Sequence, residues 1–477
     1  MNIAQLLQQS KDESIETIDI SFSNLFGGRH HISMPVARLT PELFETGIGL
    51  DGSSIPGFKM EGSSSDLLLI PDQASVFLAP FSNRPTLGFV GNLHYAETLE
   101  PFGIDPRRVA MQAERFMMET GIADKGLWGP EYEFYIFDDV KFLNGINGAS
   151  YHINSVEAGW ENQNNGHAFQ FEDRSSSYSI SHEAGYHISP PQDQYYDLRD
   201  QICEYLDELG IDVKYHHHEV GSAGQAEIEV MRNSLIRSAD AGMMIKYVCK
   251  MVAQHECSIT FMPKPLYSAA GNGMHFHQHL FKNDQPIFYD PDGYACLSQT
   301  ALYYIGGLLA HSPALMGLTN PSTNSYKRLV PGMEAPLKAF FGLGSRDSAV
   351  RIPKYANTPL SKRIEFRVPD ATGNIYLMMA AQLMAGLDGI INRIDPIERG
   401  FGPIENLSDI QKSANPYLPS SLDKALTALE EDYEFLLAGD VFSKDLIETW
   451  ITWKREKEDR EIQIRPHPYE IELYFNV

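Results

Sequence analysis

The sequence predicts an α+β fold in which a small strand-rich N-terminal domain precedes a larger domain of strands and amphipathic helices. Three observations support this prediction. Strand-forming runs fill the first hundred residues, an N-capped helix begins soon after residue 104, and four later strands carry polar side chains on one face and apolar side chains on the other. We therefore expect domains at residues 1–103 and 104–477.

The N-terminal domain reads as short strands that are joined by turns. "IETIDISFSNLFGGRHHISMPV" indicates a hairpin whose turn ends in Gly27-Gly28, and "LLLIPD" and "LGFVGNL" supply further strands. The pattern changes at "PFGIDPRRVAMQAERFMMETGI". There Asp105 fits an N-cap, Pro106 fits the first helical position, and apolar residues recur at helical spacing.

The remainder of the chain alternates strands with amphipathic helices such as "SLDKALTALEEDYEFLLAG". Residues 143–185 are rich in Asn, Gly and Ser, and residues 398–421 are similar. A polar segment of that length inside a compact domain is typical of a functional or contact loop.

Composition and charge exclude several classes of protein. The chain of 477 residues is 43% hydrophobic and 21% charged, as in an ordinary globular protein, and its net charge is −25 without any basic block. Nucleic acid and anionic membranes are therefore not expected as partners. The four cysteines lack C-x-x-C spacing, and neither a signal peptide nor an apolar run of about 20 residues occurs, so we expect a cytoplasmic protein.

Paired acidic side chains on otherwise apolar strands are the most informative feature. In "GPEYEFYIF", Glu131 and Glu133 point the same way, although burying one unpaired carboxylate costs several kcal/mol. The same alternation occurs in "GQAEIEVMR", "GNGMHFHQHLF", "RIEFRVP" and "KYHHHEVGSAGQ". A solvated outer face explains any one such strand. Several together favour a curved sheet whose polar concave face binds something that compensates the charge.

The side chains on these strands indicate what is bound. Carboxylates with few histidines form a hard-oxygen ligand set that suits Mg²⁺ or Mn²⁺. Arg328, Arg346, Arg351 and Arg367 lie nearby in the sequence and offer planar forks to carboxylate and phosphate oxygens. Acids that hold cations opposite arginines are typical of phosphoryl transfer. No G-x-x-x-x-G-K-[ST] loop occurs, so metals and arginines are expected to hold the nucleotide.

Ordered sequence blocks make the family resemblance specific. "DGSSI", "GPEYEF", "HHHEVGSAGQAE", "GNGMHFH", "NPSTNSYKRLVPGMEAP", "SRDSAVRIP" and "RIEFRVPDATGN" follow one another along the chain. In these blocks the sequence resembles bacterial type I glutamine synthetase. The resemblance implies an N-terminal β-grasp domain and a catalytic α/β domain whose curved antiparallel sheet lines the active-site channel. It also implies a homododecamer of two stacked hexamers, with active sites between subunits.

The resemblance further implies a reaction and a pair of metal ions. ATP, glutamate and ammonium would give glutamine, ADP and phosphate by way of γ-glutamyl phosphate. One divalent ion, Mg²⁺ or Mn²⁺, is expected on Glu133, Glu219 and Glu227. The second ion is expected on Glu131, His275 and Glu365.

The resemblance also implies roles for residues around the substrates. Glutamate would be bound by Arg328, Arg367 and the backbone at Gly271. The γ-phosphoryl group would be stabilised by Arg346 and Arg351, with His277 on the ATP phosphates. Ammonium would lose a proton to Asp51 in a site completed by Ser54, Tyr186 and Glu219. Glu334, in the flap "VPGMEAP", would close over the acyl phosphate and exclude water.

The chain departs from the family pattern at several positions. Ala270 stands where an asparagine usually helps to position glutamate, and Asp347 follows Arg346 where a small residue is usual. Ser408 replaces the tyrosine that is adenylylated in a regulated subgroup, so we expect no adenylylation there. Three departures fall at positions that usually help to hold the nucleotide, namely Lys214, His279 and Leu360.

Two alternatives to glutamine synthesis remain open at this point. One is a γ-glutamyl ligase for a larger amine or polyamine, and the other is a non-catalytic structural relative. Retention of Asp51, Tyr186 and Glu334 favours ammonium over a larger amine. The intact set of metal ligands argues against a non-catalytic relative.

Overall fold

The protein combines three sheets, the smallest of them a two-stranded hairpin, with helices in a computed structural model that describes residues 3–60, 65–159, 178–332 and 335–477. The strands are β1 (Thr17–Ser23), β2 (Arg29–Pro35), β3 (Ile48–Asp51), β4 (Asp66–Pro71), β5 (Phe77–Leu78), β6 (Thr86–Tyr95), β7 (Lys125–Phe137), β8 (Asp139–Gly145), β9 (Gly148–Asn154), β10 (Val213–His218), β11 (Gln225–Val230), β12 (Ser258–Thr260), β13 (Phe276–Lys282), β14 (Gln285–Pro286), β15 (Phe341–Leu343), β16 (Val350–Ile352) and β17 (Ile364–Phe366). The helices are α1 (Ile3–Asp12), α2 (Leu43–Thr46), α3 (Pro106–Glu119), α4 (Tyr196–Glu208), α5 (Leu235–Ala253), α6 (Gln299–Ala310), α7 (Ser312–Thr319), α8 (Ser325–Arg328), α9 (Ile375–Ile391), α10 (Asp409–Ala414), α11 (Leu422–Glu431), α12 (Glu434–Leu437), α13 (Lys444–Trp453), α14 (Arg460–Gln463) and α15 (Pro468–Tyr474).

Within the described ranges, the N-terminal strands form a six-stranded sheet in the order β2-β1-β6-β4-β3, with β5 paired to β6. The hairpin predicted from the sequence is β1–β2, and β1 also pairs in parallel with β6. The predicted cap forms at the start of α3, where the Asp105 carboxylate accepts a hydrogen bond from the Arg107 backbone N–H.

The larger sheet supplies the polar face that the sequence predicts. Its strands follow the order β10-β11-β7-β13-β17-β16-β15, while β12 pairs with β7 and β14 with β13, among the residues that the structure describes. The pairings are antiparallel except β15–β16, which is parallel. The register sets Glu133 opposite Glu227, and Glu131 opposite Glu229. Carboxylates therefore face one another across two neighbouring strands.

The apolar core runs through both domains. It extends from Ile18 and Ile20 in β1 to Trp450 in α13, and α9 lies almost wholly inside it. Helices α6 and α9 cross in backbone contact, since a Cβ on Gly307 would lie only 2.0 Å from the Ala385 carbonyl oxygen. Shared burial of this kind keeps the larger sheet rigid against its helices.

An arginine joins the two domains electrostatically. The Arg107 guanidinium binds Asp240 at 2.9 Å on α5 and Asp72 at 2.8 Å after β4. Its side chain is almost completely buried, so loss of both carboxylates would leave an uncompensated charge inside the protein.

Two polar segments differ from the loops that the sequence suggests. Residues 143–154 complete the hairpin β8–β9, with Phe142 and Ile146 exposed, whereas residues 160–177 lie outside the described residues. Residues 398–421 contain α10, which Ser408 caps. None of the described helices is both long and apolar enough to cross a membrane.

We predict that His311 stabilises the fold as a cation. Its ring lies 2.8 Å from Asp432 and 3.0 Å from Asp388. Burial lowers the pKa of His311, but the two carboxylates outweigh burial and raise the pKa to about 9 from 6.5. Protonated His311 therefore contributes its full stabilisation of the fold below pH 6.5, and this contribution is lost as the pH rises through 9.

His311→Gln should therefore lower the free energy of unfolding by about 1–2 kcal/mol at pH 6, a value reduced by the exposure of Asp432. The difference from the unmodified protein should shrink by pH 9.5 in urea unfolding. Replacing the exposed His255 with Gln is the control and should have little effect. A difference for His311→Gln that stays constant with pH would contradict the prediction.

Candidate active site

Three of the predicted metal ligands meet at the junction of β7, β13 and β17. Ligand atoms of Glu131, His275 and Glu365 all lie within 4.8 Å of one another. His275 Nδ1 is 3.0 Å from Glu131 Oε2 and 3.8 Å from Glu365 Oε1. Residues from three separate segments thus present one nitrogen and several carboxylate oxygens to a common point.

A second group forms where β10 turns into β11. His217, Glu219 and Glu227 have ligand atoms within 4.8 Å of one another. Glu133, which the sequence assigns to this group, faces Glu227 across the sheet and accepts a hydrogen bond from the Gly273 N–H at 2.7 Å. His217 thus joins Glu219 and Glu227 in this group, and the assignment of Glu133 as a ligand stays a prediction.

The carboxylates of the second group repel one another. Burial, followed by the charges of Glu133 and Glu227, raises the pKa of Glu219 to about 8. Burial, with the charges of Glu131 and Glu133, also raises the pKa of Glu227. A divalent cation would remove this repulsion, and the oxygen-rich donor set fits Mg²⁺ or Mn²⁺.

The first group is already compensated by positive partners. Burial alone would raise the pKa of Glu131, but His277 and His275 lower it well below the usual range. His277 Nε2 lies 2.7 Å from Glu131 Oε1. Glu365 binds Arg367 Nη1 at 2.5 Å and also pairs with Arg351. Acidic and basic side chains therefore share one cavity.

The arginines predicted to bind glutamate lie beside the ligand histidine. Arg328 is buried, with Nη2 3.3 Å from His275 Nε2 and Nη1 bonded to the Val368 carbonyl at 3.0 Å. Gly271 packs against it, because a Cβ there would lie 2.8 Å from Arg328 Cγ. Arg367 Nε donates to the Arg346 carbonyl at 3.3 Å.

Part of the predicted ammonium site is also assembled. The half-exposed Tyr186 hydrogen-bonds the Arg346 side chain, and burial followed by the charge of Glu219 raises the pKa of Tyr186. Its ring packs at 5.6 Å against the ring of His217. Tyr186, Glu219 and Arg346 therefore border one region of the cavity.

Among the described residues, Asp51 and Ser54 hydrogen-bond to each other, and Asp51 also to neighbouring serines, rather than to Tyr186 or Glu219. Asp51 accepts hydrogen bonds from Ser53 N at 3.0 Å and Ser54 Oγ at 2.8 Å. Bonds from Ser53, Ser54 and Ser65 lower the pKa of Asp51 to about 2. These contacts all lie in the N-terminal domain, and Glu334 lies outside the described residues.

Sequence reasoning gave no role to several residues that border the cavity. Glu229 forms a third group with Glu131 and His277 and binds Lys214 Nζ at 2.7 Å. Arg363 Nε donates to His277 Nδ1 at 3.3 Å. The signal for Arg363 was the alternation of Arg363, Glu365 and Arg367, because the two arginines flank β17 at positions that share the face of Glu365.

Carboxylates grouped as cation ligands opposite arginines define a class of enzyme that transfers phosphoryl groups with divalent metals. Family comparison is consistent with this class. Residues 103–474 match the glutamine synthetase catalytic domain, and residues 14–95 match the glutamine synthetase β-grasp domain. The chain therefore belongs to the glutamine synthetase family.

Individual relatives agree over nearly the whole length. The chain is 45% identical to the glutamine synthetase of Frankia alni over 473 residues, covering 99% of this chain and 98% of the relative. It is 46% identical to that of Mycolicibacterium smegmatis, covering 98% and 97%. The cryo-EM structure of Plasmodium falciparum glutamine synthetase matches with a TM-score of 0.88 at 28% identity, covering 99% of both chains.

These relatives confirm the predicted family and fold, a β-grasp domain followed by a catalytic domain built on a curled, largely antiparallel sheet. They also confirm the predicted reaction class. The protein is an ATP-dependent ligase that makes glutamine and uses a divalent metal.

We predict that metal binding releases protons and strengthens as the pH rises. Because the pKa of Glu219 is raised to about 8, an ion that binds below pH 8 must displace its proton. Mn²⁺ affinity should rise between pH 6.5 and 8.5, by up to about tenfold per unit for each proton displaced. Calorimetry in two buffers of different ionisation enthalpy measures both quantities.

Glu219→Gln is the matched variant for this measurement. It should bind Mn²⁺ more weakly and with a shallower dependence on pH, because one titrating ligand is gone. Wild-type affinity that does not change with pH would contradict the assignment of Glu219 as a ligand.

Proposed function

We propose that this chain joins ammonia to the γ-carboxylate of L-glutamate through γ-glutamyl phosphate and releases ADP and phosphate. The observation that carries the proposal is the grouping of Glu131, His275 and Glu365 directly against arginines. Such a cavity can bind an anionic phosphate chain and an anionic amino acid at the same time.

Two divalent ions, Mg²⁺ or Mn²⁺, fit the two carboxylate groups. Glu131, His275 and Glu365 would hold one ion. Glu219 and Glu227 would hold the other, with Glu133 or His217 as a further ligand. When bound, such ions neutralise phosphate oxygens and so favour transfer of the γ-phosphoryl group.

The protein's own cations complete the phosphoryl site. Arg328 and Arg367, with the backbone at Gly271, would orient glutamate so that its γ-carboxylate approaches the phosphate. Arg346 and Arg351 would stabilise the charge of the group in transfer, and His277 would contact the ATP phosphates. Arg351 is suited to this role because it reaches the cavity through its ion pair with Glu365.

The ammonium site requires a second copy of the chain. Tyr186 and Glu219 border the cavity, whereas Asp51 and Ser54 lie in the N-terminal domain among their own hydrogen bonds. We therefore propose that Asp51 of a neighbouring subunit takes the proton from ammonium, within a dodecamer of two stacked hexamers. The exposed apolar side chains of α15 and of the residues after it are suited to contacts between subunits.

The acyl phosphate intermediate must be kept from water, and the substrates must be available where the enzyme is located. Glu334 would close a flap over the acyl phosphate and keep it from hydrolysis. We place the enzyme in the cytoplasm, as the sequence predicts, where glutamate, ATP and ammonium would be its small-molecule partners.

Glu131→Gln should reduce glutamine formation by at least about a hundredfold, because it removes the carboxylate that both His275 and His277 contact. Release of phosphate with ATP, glutamate and ammonium is the measurement. The exposed Glu119→Gln is the matched control and should keep wild-type activity. The same assay with putrescine or ethanolamine tests the substrate, and a faster reaction with either amine would refute ammonium as the acceptor.

Mixed oligomers test whether the site is shared between subunits. Asp51→Asn and Glu131→Gln should each be nearly inactive alone. After dissociation and reassembly together, some interfaces combine an intact Asp51 with an intact Glu131, so activity should reappear, reaching up to about a quarter of wild type if subunits mix at random. A mixture that stays inactive, although its mass in solution shows assembly, would place both residues in one subunit's site.

A further inference from the structure

Two arginines lie side by side at the edge of the metal cluster. Arg363 Nε donates to His277 Nδ1 at 3.3 Å, and Arg363 Nη2 donates to the Tyr355 hydroxyl at 3.2 Å. Arg232 Nη1 lies 3.5 Å from His279 Nδ1, and its Nη2 donates to the Leu360 carbonyl at 3.4 Å.

The backbone of β7 fixes where Arg232 points. A Cβ on Gly129 would lie only 2.7 Å from Arg232 Cγ and 3.7 Å from His277 Cβ. The stem of Arg232 therefore crosses β7 in close contact beside His277. Because its stem is packed, the guanidinium loses little further freedom when it binds a ligand.

These two cations lack an acidic partner of their own. Within the described part of the chain, the hydrogen bonds of both guanidiniums go to neutral acceptors. Glu229, the carboxylate that attracts Arg232, is already bound by Lys214 at 2.7 Å. Burial, followed by the charge of Arg363, lowers the pKa of Arg232. Two guanidiniums in one cavity repel each other unless an anion lies between them.

The neighbouring His279 does not neutralise the two guanidiniums, and it carries no positive charge that would bind an anion in their place. Burial and then the charges of Arg232 and Arg363 lower the pKa of His279 to about 3, so its ring is neutral at physiological pH. His279 Nε2 is buried without a hydrogen-bond partner among the described residues. His279 and Leu360, two of the departures from the family pattern, thus contact Arg232, and Lys214 binds the carboxylate nearest to it.

We propose that Arg232 is a further nucleotide-binding residue, whose guanidinium binds the phosphate chain of ATP and ADP beside Arg363. This inference rests on the proposed function, because Arg363 donates to His277, the residue proposed to contact the ATP phosphates, and Arg232 packs beside that histidine. An arginine fork matches phosphate oxygens, and the anion relieves the repulsion between the two cations. Arg232 thus adds a second positive charge, beside that of Arg363, to the proposed nucleotide site.

Binding of Mg²⁺–ADP and of Mg²⁺–pyrophosphate to the assembled enzyme tests the inference. Arg232→Met should weaken both ligands about tenfold, and Arg232→Lys should weaken them less, because lysine keeps the charge but loses the fork. The KM for ATP should rise while the KM for glutamate stays unchanged. Arg237→Met, an exposed arginine five positions away, is the matched control and should leave all these values unchanged.

Several outcomes would overturn the inference. ADP binding by Arg232→Met with wild-type affinity would exclude a contact, and weaker ADP with unchanged pyrophosphate would exclude a contact with the phosphates. Should Arg232→Met not assemble, Arg232→Lys must still weaken ADP severalfold for the proposal to stand. Failure of the proposed function is distinguishable, because the wild-type enzyme itself would then form no glutamine.

Discussion

Repulsion between carboxylates that face one another across β7 and β11 is the constraint on which the active site depends. Glu131 lies opposite Glu229 and Glu133 opposite Glu227, so the sheet register itself brings four acids together. Such an arrangement is costly unless cations share the cavity. The opposite, apolar face of these strands packs into the core with α9, and the free energy of that burial offsets the repulsion.

Glu365 connects the acidic and basic halves of the cavity. It belongs to one metal-ligand group and also pairs with Arg351 and Arg367. Without an ion, the two arginines compensate its charge. An ion bound by Glu365 would take over part of that role and leave the guanidiniums available for glutamate and phosphate oxygens. With these proposed roles, metal binding and substrate binding would be coupled through one side chain.

The sequence predicted what depends on local pattern, namely the β1–β2 hairpin, the Asp105 cap and the alternation that places Glu131 and Glu133 on one face. It did not predict that His217 would group with Glu219 and Glu227, because that contact depends on the register that sets His217 opposite Glu227, whereas Glu133 as a metal ligand stays a prediction. The Lys214–Glu229 pair likewise depends on the register of β10 against β11, which alternation alone does not specify. The hairpin β8–β9 was missed because its strands are mostly exposed, so no buried face produces an alternation of apolar and polar residues.

A net charge of −25 does not oppose the binding of anionic substrates. At physiological ionic strength, charges more than about 8 Å apart are largely screened, so a phosphate chain responds to the arginines that surround it. Asp51, whose pKa is lowered to about 2 by serine hydrogen bonds, is ionised at any physiological pH, as the proposed ammonium site requires. One fold thus binds anions and cations by placing opposite charges on adjacent strands.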